Sequence, residues 1–196
     1  MKPQTYEMMH GVVAHEVKML EKLYEIMDPA EYEKAVEILK NSTLTVTSAC
    51  GSSGFAAKKF AHSLCCVERP AKFVPPSEAI HGGMGALKPG NAIIIISRGG
   101  KSEELMPLIG IAKTKGAKLI AVTANPESEL GRAADAVLLI PDFPESDKYG
   151  VMATASFTAN CAIFDALMIG LMEEDEYKLE QFAVIHPGGA VGKRIN

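Results

Sequence analysis

Along the first forty residues the apolar positions recur every three or four places. Val12, Val13, Val17, Leu20, Leu23, Tyr24 and Met27 fall at helical spacing, and Asp28-Pro29 opens a second run that ends near Leu39. Two helices are predicted there. The period then changes: TLTVTSA (43–49) is short and β-branched, runs into Gly51-Ser52-Ser53-Gly54, and FAAKKFAHSLCC behind it returns to helical spacing. This strand–turn–helix unit comes back twice. AIIIIS (92–97) passes through Gly99-Gly100 into a helix from about Glu103 to Lys115, and KLIAVTA (118–124) passes through Asn125-Pro126 into a short helix. AVLLI (136–140) reads as a further strand. Strands that are continuous apolar runs and alternate with helices indicate a parallel sheet covered on both faces, so the fold class is α/β, a doubly wound parallel sheet behind an N-terminal helical segment.

Two stretches are less regular. In KFVPPSEAIHGGMGAL, Phe73-Val74 is a candidate strand and residues 77–84 a short helix. From Thr154 to Glu174 the chain predicts a long helix with Thr154 as its cap. Its apolar residues occupy nearly every face, which requires either a large core or a second subunit; for a chain of this size the second is favoured, as it is by the amphipathic first helix, and a homo-oligomer is expected.

Composition narrows the function classes. The 196 residues suffice for one sizeable core, and no linker-like run divides them, so a single domain is expected over 1–196, with helices over 1–42 and the α/β core and C-terminal helices over 43–196. Lys and Arg number 20 against 24 Asp and Glu, which provides no basic field for nucleic acid. Cys50, Cys65, Cys66 and Cys161 lack C-x-x-C spacing and read as free buried thiols, with no metal site. The opening residues carry Glu7 and Glu16 within their apolar run and fit neither a signal peptide nor a membrane span, so a cytoplasmic location is expected.

Candidate chemistry lies in two turns, Ser48-Ala-Cys-Gly-Ser-Ser-Gly54 and Ser97-Arg-Gly-Gly-Lys-Ser102, each joining a strand to a helix. In an open parallel sheet, ligands bind beyond the carboxyl ends of the strands, where helix amino-termini present unpaired N–H groups and a positive dipole end. Glycine lets the backbone approach an anion, serine hydroxyls donate to it, and Arg98 or Lys101 adds formal charge. Neither turn is a Walker loop or a G-x-G-x-x-G turn, which removes the usual grounds for a nucleotide. One such turn alone would ordinarily be a mere connection; two in one short chain favour a phosphate site.

At these residues the sequence resembles the SIS (sugar isomerase) domain family, and within it the arabinose-5-phosphate isomerase branch. CGSSG is similar to the first family loop and SRGGKSEEL to the second; SEAIHGGMGAL resembles E-A-x-H-G-D-x-G, ATAS resembles P-T-A-S, and HPGGAVGKRI resembles the closing H-P-G-G-A-L-G-R-R-L. The resemblance implies a three-layer α/β domain that binds phosphorylated sugars, as a dimer or tetramer with sites near subunit boundaries. The implied reaction interconverts an aldose and a ketose phosphate through an enediol(ate), which needs a base and a stabilised oxyanion but no cofactor. By the same resemblance Ser52, Ser53, Ser97, Gly99, Gly100, Lys101 and Ser102 would cradle the phosphate. Glu145, nine residues before Thr154, would be the base, and His186 would assist ring opening or proton transfer, in its own or a neighbouring subunit's site. His81 would stand near the pocket.

Taken without the family, Glu145 is a charge in a polar loop and His186 a residue closing a helix. Two positions depart from the branch: Ser52 stands where it has lysine, and Lys101 where the second loop has glutamate. Those departures favour a rival reading, a module that binds a sugar phosphate without converting it, although no DNA-binding helix-turn-helix is apparent at the amino end. The branch's longer members continue into paired CBS domains beyond the point matching Asn196, so regulation through such modules is not expected.

Overall fold

The strand periods resolve, in the computed structural model, into one five-stranded sheet with helices on both faces; residues 2–195 are described. In chain order the elements are α1 (Pro3–Ile26), α2 (Pro29–Asn41), β1 (Thr45–Ala49), α3 (Gly51–Cys66), β2 (Ala71–Phe73), α4 (Pro76–Ala79) and a 3₁₀ turn (Gly83–Ala86). There follow β3 (Ala92–Ile96), α5 (Met106–Lys115), β4 (Lys118–Thr123), α6 (Glu129–Ala133), β5 (Ala136–Leu139), α7 (Ala155–Glu174), α8 (Leu179–Ile185) and α9 (Gly189–Ile195). Strand order is β2-β1-β3-β4-β5, and every pairing is parallel.

The isoleucine run explains the layering. Successive strand residues face opposite sides of the sheet, so Ile94 and Ile96 enter a core built with α1, α2, α3 and α7, while Ile93 and Ile95 enter a second core under α4, α5 and α6. All four are at most 1% exposed. A strand that must satisfy two cores has no polar face, which is why alternation disappears from its sequence. On the first side Phe60 of α3 stacks on Phe164 of α7 at 4.4 Å between centroids.

Several expectations need correction. The helix over 77–84 divides into α4 and the 3₁₀ turn, because Gly82 adopts a φ of 104° that no right-handed helix accommodates. The helix expected from Glu103 begins at Met106: Pro107 has no N–H with which to bond the Glu103 carbonyl, and residues 103–105 form a turn instead. The thiols are free but not buried, since Cys65 is exposed and the other three are half-buried. Helix α7 is long and apolar enough to span a membrane by composition, yet Ala155, Ala159, Ile163, Phe164, Leu167 and Leu171 lie in the first core against α1, α2 and α3. The chain itself covers much of α7, so this helix is weaker support for a second subunit than its sequence implied.

Candidate active site

Strand order fixes where a ligand can sit. From β1 the chain crosses to β2 on one side, then returns past β1 to β3 on the other, so the direction of winding switches between β1 and β3. At such a switch point the two following loops diverge and leave a crevice at the carboxyl ends. Ala49 and Ile96 are register partners across these strands, so the Cys50–Gly54 and Ser97–Ser102 loops leave the sheet side by side.

The first loop turns directly into α3. Gly51 has a φ of 54°, and the Gly54 amide makes the first helical bond, to the Cys50 carbonyl at 3.2 Å. The amides of Gly51, Ser52 and Ser53 therefore belong to the open end of a 16-residue helix, where the partial positive charge of the dipole gathers. Ser52 is exposed and Ser53 half-buried. Gly54 lies deeper: a Cβ there would come within 3.1 Å of the Ala49 carbonyl oxygen.

In the second loop, buried Ser97 and half-buried Ser102 share a hydrogen bond, Oγ to Oγ 2.9 Å, and the Gly100 amide donates to the Ser97 carbonyl at 3.0 Å. Gly100 has a φ of 65° and packs directly on Ser128, so a side chain would collide with that hydroxyl. Gly99 and Lys101 are exposed at the tip. Arg98, expected to lend its charge to an anion, is engaged elsewhere. Its Nη2 donates to the Phe143 carbonyl at 2.7 Å, and its guanidinium lies 3.5 Å from both Asp142 and Glu145. Its carbonyl accepts from the Ala124 amide and the Thr123 hydroxyl, which fixes the loop to the end of β4.

Glu145 is 7% exposed. Its Oε2 accepts from the Thr154 amide at 2.9 Å, the Thr154 hydroxyl at 3.1 Å and the Ser156 amide at 3.2 Å. The cap of α7 is therefore this carboxylate and not Thr154, whose hydroxyl also accepts from the Ser146 amide at 2.9 Å. Burial alone would push the Glu145 carboxyl up, but the hydrogen bonds from Ser156 and Thr154 outweigh it and hold the group below the usual carboxylate range. The carboxylate is thus buried, ionised and anchored through one oxygen, while its Oε1 faces Arg98. Beside it the Ser146 hydroxyl is buried with no partner among the described residues. Helix α1 braces this loop from outside: His15 Nε2 lies 2.7 Å from the Pro144 carbonyl, its ring packs 4.7 Å from Phe143, and Glu16 accepts from Thr158 at 2.9 Å.

The two histidines are not brought to this cluster. His81 is exposed in the turn after α4, whose strand β2 ends at the same edge of the sheet. His186 stacks on Phe182 at 3.7 Å in a tail attached elsewhere. Tyr177 donates to the Cys66 carbonyl at 2.8 Å and Gln181 to Glu68 at 2.6 Å, both at the carboxyl end of α3. That helix, of 16 residues, is about 24 Å long and carries Ser52 and Ser53 at its other end. The functional neighbours that sequence reasoning missed are Thr154 and Ser156 as donors to Glu145, and Asp142 and Phe143 as partners of Arg98. Only the nine-residue spacing of Glu145 and Thr154 signalled any of them. Among the described residues, no three His, Cys, Asp or Glu side chains are grouped to hold a metal ion.

The SIS domain profile matches residues 38–170, more than half of the chain. The chain belongs to the SIS domain family. Among curated relatives of this SIS protein, the arabinose 5-phosphate isomerase KpsF of Escherichia coli is 32% identical over 184 residues, covering 93% of this chain and 58% of that one. KdsD of E. coli strain K12, also an arabinose 5-phosphate isomerase, is 37% identical over 150 residues, 76% of this chain and 46% of its own. The chain spans about half the length of the curated relatives it matches. Among solved structures, a candidate sugar-phosphate isomerase from Listeria monocytogenes is 41% identical with a TM-score of 0.91, covering 96% of this chain and 100% of that one. The E. coli CFT073 protein c3406, solved in complex with a sugar phosphate, is 25% identical with a TM-score of 0.87, covering 95% and 100%.

Proposed function

We propose that this SIS protein is a sugar-phosphate isomerase interconverting an aldose and a ketose, similar to the arabinose 5-phosphate isomerases. The observation that carries the reading is the pairing of the two serine loops at the switch point with an ionised, buried Glu145 tied through Arg98 to the second of them. The phosphate is held by the amides opening α3 and the hydroxyls of Ser52, Ser53, Ser97 and Ser102, with Gly99 and Gly100 allowing close approach and Lys101 supplying charge. Anchoring the phosphate fixes the reacting carbons, which is worth more than any single contact because it converts proton transfer into an intramolecular step.

Glu145 then takes the proton from the carbon beside the carbonyl, leaving the electron pair on the carbonyl oxygen as an enediolate, and returns it to the former carbonyl carbon. The hydroxyl proton of the first carbon passes to the former carbonyl oxygen, so that no proton is gained or lost overall. A carboxylate held below its ordinary pKa is a weak base. Its Oε1, 3.5 Å from Arg98 Nη1, gains basicity if substrate draws Arg98 away, and the guanidinium then neutralises the enediolate oxygen. His186, at the far end of α3, serves the site of a second copy, and His81 lines the rim; this makes the working form a homo-oligomer, a dimer or tetramer. Four free thiols suit the reducing cytoplasm.

The second reading, a module that binds a sugar phosphate without converting it, is favoured by Ser52 and Lys101, where the isomerase branch has lysine and glutamate. Solvent-deuterium incorporation into arabinose 5-phosphate and a panel of other pentose, hexose and heptose phosphates, followed by NMR, separates the two. Exchange that vanishes in Glu145→Gln supports the enzyme; tight binding of a sugar phosphate without exchange in the native protein overturns it in favour of the module.

A further inference from the structure

Thr154 stands at the N-cap of α7, where a threonine ordinarily turns its oxygen to the amides of its own helix. Here it does not. Its side chain accepts no bond from the helix; the Thr154 and Ser156 amides donate to Glu145 Oε2 instead, and the Thr154 oxygen accepts from the Ser146 amide at 2.9 Å. An amide can only donate, so this bond occupies a lone pair and leaves the hydroxyl proton for another acceptor. That acceptor is Glu145 Oε2, 3.1 Å away. Branching at Cβ restricts the hydroxyl to few rotamers and holds it on this line. Opening the helix does not require such a hydroxyl, because the carboxylate already caps α7 through the two amides.

We infer that Thr154 is a positioning residue that makes Oε2 the fixed oxygen of Glu145 and Oε1 the one that carries the proton. This deepens the isomerase reading and rests on it. A carboxylate has about two lone-pair sites on each oxygen. Oε2 receives three donors, the Thr154 amide at 2.9 Å, the Thr154 hydroxyl at 3.1 Å and the Ser156 amide at 3.2 Å, which leaves no place for a fourth hydrogen. Oε1 faces Arg98 Nη1 at 3.5 Å. When the substrate C–H bond breaks, its electron pair stays with the substrate and passes to the carbonyl oxygen, and the proton bonds to Oε1. Oε2 is then the carbonyl oxygen of a neutral acid and accepts from the same three donors as before. Nothing has to reorganise while Oε1 holds the proton for the neighbouring carbon.

The hydroxyl also sets how firmly Glu145 holds a proton. Arg98 faces Oε1 from the second loop, with Asp142 also 3.5 Å from the guanidinium. The other titratable groups nearby are engaged elsewhere: His15 with the Pro144 carbonyl, Glu16 with Thr158, and Asp147 with the amides of Tyr149, Val151 and Met152. All three donors on Oε2 favour the ionised form, and the hydroxyl is the one that a substitution removes without touching the backbone. Its removal raises the carboxyl toward the ordinary range. The ionised base is then lost at a higher pH as the solution is acidified.

The test uses Thr154→Val, which replaces the hydroxyl by a methyl group, Thr154→Ala, a second variant without it, and Thr154→Ser, which keeps it. Titration of the Glu145 carboxyl by carbon-13 NMR, identified by its absence in Glu145→Gln, needs no substrate. Its midpoint should rise by about one pH unit in the valine and alanine variants. In solvent-deuterium exchange with a sugar phosphate that the native protein exchanges, the acid limb of kcat/KM should move up by the same interval, the substrate's own ionisation being common to all variants. There kcat should fall about tenfold while KM changes by less than about twofold. Serine should recover most of both effects. A hydroxyl with a merely structural role would lower the melting temperature and leave limb and midpoint unmoved; that result, or a serine variant as impaired as valine, overturns the proposal. A native protein that binds sugar phosphates without exchange overturns the isomerase reading itself, a failure told apart because it precedes any substitution at Thr154.

Discussion

Replacing Glu145 by alanine and by glutamine separates its two roles, as the cap of α7 and as the proposed base. The alanine variant removes three hydrogen bonds received by one buried oxygen and leaves the Thr154 and Ser156 amides without their acceptor. A lost helix cap costs about 0.5–2 kcal/mol, and a bond to a charged group contributes about 1.5–3 kcal/mol; bonds sharing one oxygen are not additive, so about 2–4 kcal/mol is expected. For a chain of this length each kcal/mol moves the thermal midpoint by about 2–4 °C, a fall of about 4–16 °C in all. Glutamine keeps an acceptor oxygen in place and loses the charge, with an expected cost of about 1 kcal/mol.

The sign of the pH dependence follows from the direction of the shift. The folded carboxyl lies below its unfolded value of about 4.3, so its contribution to stability is complete above that pH and is lost as the pH falls through the folded value. Differential scanning calorimetry between pH 7 and pH 3 should therefore show the native protein's advantage over Glu145→Gln shrinking on the acid side. Deuterium exchange, by contrast, should fall about 10²–10⁴-fold in the glutamine variant, because an amide cannot accept the proton. A glutamine variant that exchanges at the native rate would refute the base assignment, and an alanine variant as stable as the native protein would refute the cap.

Two further substitutions probe the loops. Gly100→Ala should destabilise by about 1–3 kcal/mol, from positive φ and the collision with Ser128, and Ser128→Gly in the same chain should recover most of the steric part in denaturant titrations, since glycine costs only a few tenths as the cap of α6. Absence of recovery would mean that the loop, not the contact, is the weak element. Ser52→Lys restores the isomerase-branch residue at an exposed position of the open α3 terminus, at about 0.3–1 kcal/mol against the helix dipole. Under the isomerase reading it should tighten the KM for arabinose 5-phosphate about tenfold, measured by coupled assay, the scale of one added phosphate contact; an unchanged or raised KM would favour a different sugar.

The strands were legible because each must be apolar on both faces, a requirement that leaves an unmistakable mark in runs such as residues 92–96, and the loops were visible as serine and glycine clusters; the strand order that sets those loops at a switch point was not. What escaped was everything decided across long sequence separation. Nothing local in DFPESDKYG says that Glu145 folds back to cap a helix opening ten residues later, nor that Arg98 turns from its own loop toward Phe143, because those choices are made by the buried geometry between β3, β5 and α7. The same logic explains α1. Its inner and outer faces look alike in sequence, both apolar at helical spacing, and only the fold tells them apart, by covering Met19 and Leu23 and leaving Val13 and Val17 in water. A residue pattern records that a surface is apolar without recording what covers it; the first core accounts for the inner stripe and leaves the outer one, equally regular, exposed.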